Sequence, residues 1–173
     1  AHRGTGRHQG AVQAIMERIA SFNVDHVRLL PGLYVSRRDS FRDAVVTTFD
    51  IRMKKPNAGD YLTTTEAHTI EHLGATFLRN DPRTSESTVY FGPMGCRTGF
   101  YAVFFGDLES DDVSDIITEM FEFIASYQGT IPGQSEMECG NYRDLSMDGT
   151  RERAREYLEV LRSLDETTTV YPA

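Results

Sequence analysis

Cysteine, long apolar runs and basic charge are all scarce in this sequence of 173 residues. Two cysteines, Cys96 and Cys139, are too few for the several bridges that hold small secreted domains together. They can form one disulfide, sit as inert buried thiols, or do chemistry in a reducing compartment. No stretch approaches the roughly 20 apolar residues that span a bilayer, and no charged start followed by an apolar core marks a signal segment. A soluble, cytoplasmic protein with no membrane partner is expected. With 18 basic against 26 acidic residues the net charge is −8, which repels a phosphate backbone and argues against nucleic-acid binding. Internal repeats and low-complexity segments are also missing, and the length suits one compact domain.

The first fifteen residues mix Gly4, Gly6, Gly10, Arg3, Arg7, His2 and His8 without an apolar period. Residues 1–15 are therefore expected to be a leader or tag-like segment, with His2 and His8 as bystanders, and residues 16–173 the folded domain.

Between Val45 and Met53 the residues alternate. Val45, Thr47, Phe49, Ile51 and Met53 lie on one face; Val46, Thr48, Asp50 and Arg52 lie on the other. This spacing predicts a strand whose second face ends in an Asp/Arg pair, by alternation alone a solvated ion pair. A polar link through Pro56, Asn57 and Gly59 leads to Thr63, Thr64 and Thr65, which can cap a helix running to about Arg79. On that helix Ile70, Leu73 and Phe77 share one side, and His68, Glu71, His72 and Ala75 the other. Thr88 to Phe91 and Phe100 to Phe105 read as short strands joined by a glycine-rich turn that holds Cys96. Ile117, Met120, Phe121 and Ile124, then Ala154, Leu158 and Leu161, recur at helical spacing. The long connection between these two helices presents Cys139. The short Phe91 to Phe100 connection favours antiparallel pairing, so the expected class is α+β: an antiparallel sheet packed with helices.

His68 and His72 stand at i and i+4, the spacing that lets two imidazoles reach one metal ion. Glu71 beside them can move protons to and from whatever the metal polarises. Two histidines leave a tetrahedral ion short of ligands, and either cysteine can supply a third. Cys139 lies in a loop able to fold back on the helix. Cys96, in a turn beside Arg97, reads as an exposed thiol whose thiolate a nearby positive charge favours. Spacing alone leaves both assignments of the thiols open.

His-Thr-Ile-Glu-His at 68–72, Phe-Asp-Ile-Arg at 49–52, Gly-Pro-Met-Gly-Cys-Arg-Thr-Gly-Phe-Tyr at 92–101 and Glu-Cys-Gly-Asn-Tyr at 138–142 together resemble the S-ribosylhomocysteine lyases, the LuxS family. Ser21-Phe22-Asn23-Val24-Asp25-His26 resembles that family's opening Ser-Phe-x-x-Asp-His segment. The resemblance covers nearly everything from Met16 onward. It implies cleavage of S-ribosylhomocysteine to homocysteine and 4,5-dihydroxy-2,3-pentanedione, the precursor of the quorum-sensing signal autoinducer-2. It implies His68, His72 and Cys139 as ligands of one divalent metal per subunit, Fe2+ in the cell with Zn2+ or Co2+ able to substitute. Glu71 and Cys96 become the acid/base pair, and Arg52, Ser21 and His26 line the substrate pocket. A homodimer with the active site at its interface is implied as well. The chain departs from many members at Tyr90, where an acidic residue stands six positions before the catalytic cysteine, which marks a divergent branch.

Two rival readings use the same residues. His-x-x-Glu-His is also the inverted zinc-peptidase signature, which requires a distant acidic ligand. A closed structural zinc site built from His68, His72, Cys96 and Cys139 would have no exchangeable position.

Overall fold

The computed structural model describes residues 16–173, so the expected leader at 1–15, with His2 and His8, lies outside the described residues. The alternating run after Val45 forms a strand, β2 (Ala44–Arg52), within a four-stranded sheet. Its neighbours are β1 (Gly32–Phe41), β3 (Thr88–Pro93) and β4 (Gly99–Phe105), in the spatial order β1-β2-β4-β3 with every neighbouring pair antiparallel. The α+β expectation therefore holds. β1 has no counterpart in the sequence reading. Its second half, with Arg37, Arg38 and Asp39, is polar, and the pairing register shifts between Val35 and Arg37, so the apolar alternation is broken in mid-strand. Arg42, at φ 55, turns the chain from β1 into β2.

Helix α1 (Thr64–Asn80) begins at a capping box. Of the three threonines that could cap it, Thr63 does: its hydroxyl accepts from the Glu66 N–H at 3.0 Å, and Oε1 of Glu66 accepts from the Thr63 N–H at 2.8 Å. Ile70, Leu73 and Leu78 are buried on its inner side, where Gly74 lets the helix approach β3 closely. A Cβ on Gly74 would come within 2.4 Å of the Phe91 ring, which itself stacks on Phe100 at 5.1 Å. Helix α2 (Ser110–Ser126) contributes Ile117, Met120, Phe121 and Ile124, and α3 (Thr150–Leu161) contributes Ala154, Tyr157, Leu158 and Leu161, to the same core as Phe49, Ile51 and Phe104. Each large side chain so buried stabilises the fold by about 1.5–3 kcal/mol before conformational entropy is subtracted. A last short helix, α4 (Glu166–Thr169), leads to Tyr171, which reaches back to the sheet. Among the described residues no helix is long and apolar enough to cross a membrane.

The face of β2 away from this core carries Thr48, Asp50 and Arg52. The expected solvated ion pair is corrected here: the side chains of Asp50 and Arg52 are 0% and 3% exposed. Alternation correctly puts the two on one side of the sheet, but it cannot reveal that other segments cover that side. Tyr34 on β1 and Tyr101 on β4 stand opposite Asp50 in register, and Tyr171 covers it from the segment after α4.

Candidate active site

His68 and His72 occupy successive turns of α1 on the side away from Ile70 and Leu73, with ring centroids 4.7 Å apart. Each ring is held through Nδ1. In His72 that atom lies 2.8 Å from the Pro132 carbonyl. A carbonyl oxygen only accepts, so Nδ1 carries a hydrogen and donates it. In His68, Nδ1 faces Oδ2 of Asp144 at 3.4 Å, and the other carboxylate oxygen of Asp144 accepts from the Thr65 hydroxyl at 2.6 Å. The His72 ring is thereby oriented through Nδ1 and Asp144 stands beside Nδ1 of His68, the arrangement of histidines that bind metal through one nitrogen and are positioned through the other.

Cys139 completes the group. Its backbone N–H donates to the Ser135 carbonyl at 3.1 Å, and the Asn141 N–H donates to its sulfur at 3.4 Å, so the loop between α2 and α3 folds back onto α1. The sulfur lies 3.4 Å from Nε2 of His68, and the ligand atoms of His68, His72 and Cys139 all lie within 4.8 Å of one another. Two imidazoles and a thiol gathered in this way fit a borderline divalent cation. Gly133 is part of this construction. It sits at φ 77, and a Cβ there would come within 2.9 Å of Nδ1 of His72.

Cys96 lies elsewhere, exposed in the turn between β3 and β4, 3.0 Å from the Thr98 hydroxyl. Thr98 also accepts from Nη1 of Arg52 at 2.8 Å. The rest of the Arg52 guanidinium is clamped on Asp50 by two bonds of 3.0 and 2.7 Å. Burial works against the charge of Arg52, but Asp50 more than offsets it and raises its pKa above the ordinary arginine value. The cation linked to the thiol through Thr98 is thus Arg52. Arg97, the neighbour in sequence, turns its guanidinium to the Leu62 carbonyl at 3.1 Å. Both thiols are free.

Between α1 and the turn that bears Cys96 lies a cleft of about 300 Å³. Its α1 wall includes Ala67, His68 and Glu71, and its other wall includes Pro93, Met94, Gly95 and Arg97 on either side of Cys96. Glu71 is half-buried there and makes no side-chain hydrogen bond among the described residues, which leaves its carboxylate available to a ligand. Ser21 lines a separate hollow on the outer face of the sheet with Ser36, Thr48 and Tyr101. His26 is half-buried with Nδ1 on the Val24 carbonyl at 2.8 Å, apart from both groups. Tyr90 is 50% exposed on β3.

These positions bear on the rival readings. The metal-competent group contains one cysteine, Cys139, while the sulfur of Cys96 is engaged by Thr98, so the closed site of two histidines and two cysteines is not formed. The place of the distant acid required by the inverted peptidase pattern is taken by Cys139, and the nearby Asp144 stands behind His68 on Nδ1. The sequence reading did not pick out Asp144, Thr98, Gly133 or Tyr171. Thr98 carried a weak signal, being two residues past Cys96 in the same turn, but the other three act across long sequence separations.

The chain matches the family described as S-Ribosylhomocysteinase (LuxS) over residues 19–168. It is 51% identical over 158 residues to an S-ribosylhomocysteine lyase of Clostridium beijerinckii, covering 91% of this chain and 99% of that protein. A protein of the same name from Finegoldia magna is 48% identical, and one from Borreliella burgdorferi 46% identical, each over 157 residues, 91% of this chain and at least 99% of the relative.

Proposed function

The chain belongs to the S-ribosylhomocysteinase (LuxS) family, and from that premise we propose that it is a carbon–sulfur lyase that splits S-ribosylhomocysteine into homocysteine and 4,5-dihydroxy-2,3-pentanedione. The observation that carries this reading is that His68, a member of the group with His72 and Cys139, lines one cleft together with Glu71 and residues of the turn that bears Cys96. His68, His72 and Cys139 would hold one divalent ion, Fe2+ with Zn2+ or Co2+ able to replace it. Bound there, such an ion supplies Lewis acidity for a carbonyl oxygen of the substrate.

The protein's own groups do the proton work. The ribose opens to an aldehyde, and Cys96 and Glu71 take protons from one carbon and return them to its neighbour, which moves the carbonyl from C1 to C2 and then to C3. With the ketone at C3, removal of the C4 proton places an electron pair between C4 and C5, and the C5–S bond breaks to release homocysteine. No electrons enter or leave the system. A carboxylate on one wall and a thiol in the turn that forms the other suit this sequence, because successive carbon acids present their protons on different faces of one bound sugar. Arg52, Ser21 and His26 are proposed to line the substrate pocket. Arg52 would do so at the end of a fixed guanidinium, and Ser21 through the hollow it shares with Tyr101.

Ser21 and His26 lie outside the cleft of His68 and Glu71 in the single chain, which supports a homodimer whose second copy brings these side chains to the site. A cytoplasmic setting would keep Cys96 and Cys139 reduced.

The test is anaerobic incubation of metal-loaded protein with S-ribosylhomocysteine, following free homocysteine with a thiol reagent. Cys96→Ala should abolish turnover with metal retained, and Cys139→Ala should lose the metal. The reverse pattern in metal analysis would exchange the roles given to the two thiols, and absence of turnover in fully metal-loaded wild-type protein would refute the activity.

A further inference from the structure

Tyr171 lies after α4 and beyond residues 19–168 that match the family. Its ring stacks on Tyr34 at 4.9 Å with planes 23° apart, and its hydroxyl donates to Oδ2 of Asp50 at 2.7 Å. Asp50 is fully buried and also accepts both bonds from Arg52. The remaining link is directional. A guanidinium can only donate, so the Thr98 oxygen is the acceptor in the 2.8 Å bond from Arg52. The one hydrogen of that hydroxyl is then left for the Cys96 sulfur, 3.0 Å away.

We propose that Tyr171 is a positioning residue for Cys96, acting through Asp50, Arg52 and Thr98, so that a segment remote in sequence sets the hydrogen bond received by the reactive sulfur. The hydroxyl of Tyr171 takes up part of the hydrogen-bonding capacity and charge of Asp50. Without it, Asp50 draws more strongly on Arg52, whose hold on Thr98 weakens, and the sulfur loses both a fixed donor and part of the positive potential behind it. The other groups around the thiol are Tyr101 of β4 and Arg97 of its own turn. Burial, followed by Asp50, raises the pKa of Tyr101, so it stays neutral at working pH, and Arg97 is committed to Leu62. Neither can substitute for the relay. The proposal rests on the proton-transfer role given to Cys96 only for its effect on turnover; the state of the thiol can be read separately.

The test uses metal-loaded full-length protein with iodoacetamide as probe, following alkylation at Cys96 by mass spectrometry across pH. Tyr171→Phe keeps the stacked ring and removes the donor. It should slow alkylation of Cys96 about threefold at neutral pH and move the alkylation midpoint upward, because the thiolate is the reacting form. Thr98→Val should reproduce the shift, and Thr98→Ser, which keeps the hydroxyl, should restore the wild-type profile. Turnover of Tyr171→Phe should fall in kcat with KM within about twofold, since the transition state and not substrate binding depends on the thiol. An alkylation profile for Tyr171→Phe that superimposes on wild type would overturn the proposal, whatever Thr98→Val does. If Cys96→Ala turned over normally, the role given to the thiol under the proposed function would fail, while the alkylation profiles would still decide the relay.

Discussion

Oδ2 of Asp144 lies 3.4 Å from Nδ1 of His68, on the far side of the ring from the sulfur of Cys139. The Thr65 hydroxyl pins the other oxygen of the same carboxylate, so the acid is itself immobile. A carboxylate so fixed restrains the ring and keeps Nε2 turned toward the Cys139 sulfur. Asp144→Ala should therefore weaken divalent-metal affinity by about 10–100-fold while leaving the fold intact. Competition against a chelator, with circular dichroism as the control, measures this, and unchanged affinity would remove Asp144 from the metal site.

Gly133 gives a second route to the same centre. Its φ of 77 already disfavours a side chain, and the nearest atom to an added Cβ would be Nδ1 of His72 at 2.9 Å. Gly133→Ala should displace either the Pro132 carbonyl or the imidazole it orients. The expected result is loss of metal with a small fall in stability, about 1 kcal/mol from the backbone conformation. Metal content against melting temperature separates the two effects.

The buried pair on β2 makes a stability prediction. Asp50→Ala leaves Arg52 with its charge in a site from which water is excluded, and should cost about 3–5 kcal/mol. Replacing both, as Asp50→Ala with Arg52→Met, should cost less than Asp50→Ala alone, because the stranded charge is removed with its partner. Urea denaturation of the three proteins tests this, and a double variant that is the least stable of the set would contradict it.

Alkaline pH should act through the tyrosines that surround the same carboxylate. Burial, followed by the nearby Asp50, pushes Tyr34 up to about 12, and burial with Asp50 also raises Tyr171 and Tyr101. A phenol whose folded pKa is raised keeps its proton after the unfolded chain has lost it. Its contribution is full below pH 10 and is lost as pH rises toward the folded value. Stability should accordingly fall between about pH 10 and 12, by up to about 1.4 kcal/mol per pH unit for each phenol retained. Denaturation at pH 9 and 11 should show this slope, and Tyr34→Phe should flatten it.

Much of this was legible because local spacing is the same in a sequence and in a helix or strand. The i and i+4 histidines with Glu71, the Thr63 cap and the inner positions Ile117, Met120 and Phe121 all follow from period and end chemistry. β1 was not legible, because a shifted register and a run of charges interrupt its alternation after Val35. The burial of Asp50 and Arg52 was hidden for a different reason. A strand reports which side a residue takes, but the cover over that side comes from Tyr171, 121 positions away. The same distance effect concealed Asp144 behind His68. It also made Arg97 look like the natural partner of Cys96, when the fold sends that guanidinium to Leu62 and brings Arg52 to Thr98 instead.

The bare backbone of Gly74 against the Phe91 ring ties these chemical groups together. The helix that carries both histidines rests its own backbone on the Phe91 side chain of the strand that runs into the Cys96 turn. Any residue larger than glycine would press on that ring and shift helix against strand. A chemically inert position thus governs the width of the cleft between helix and turn.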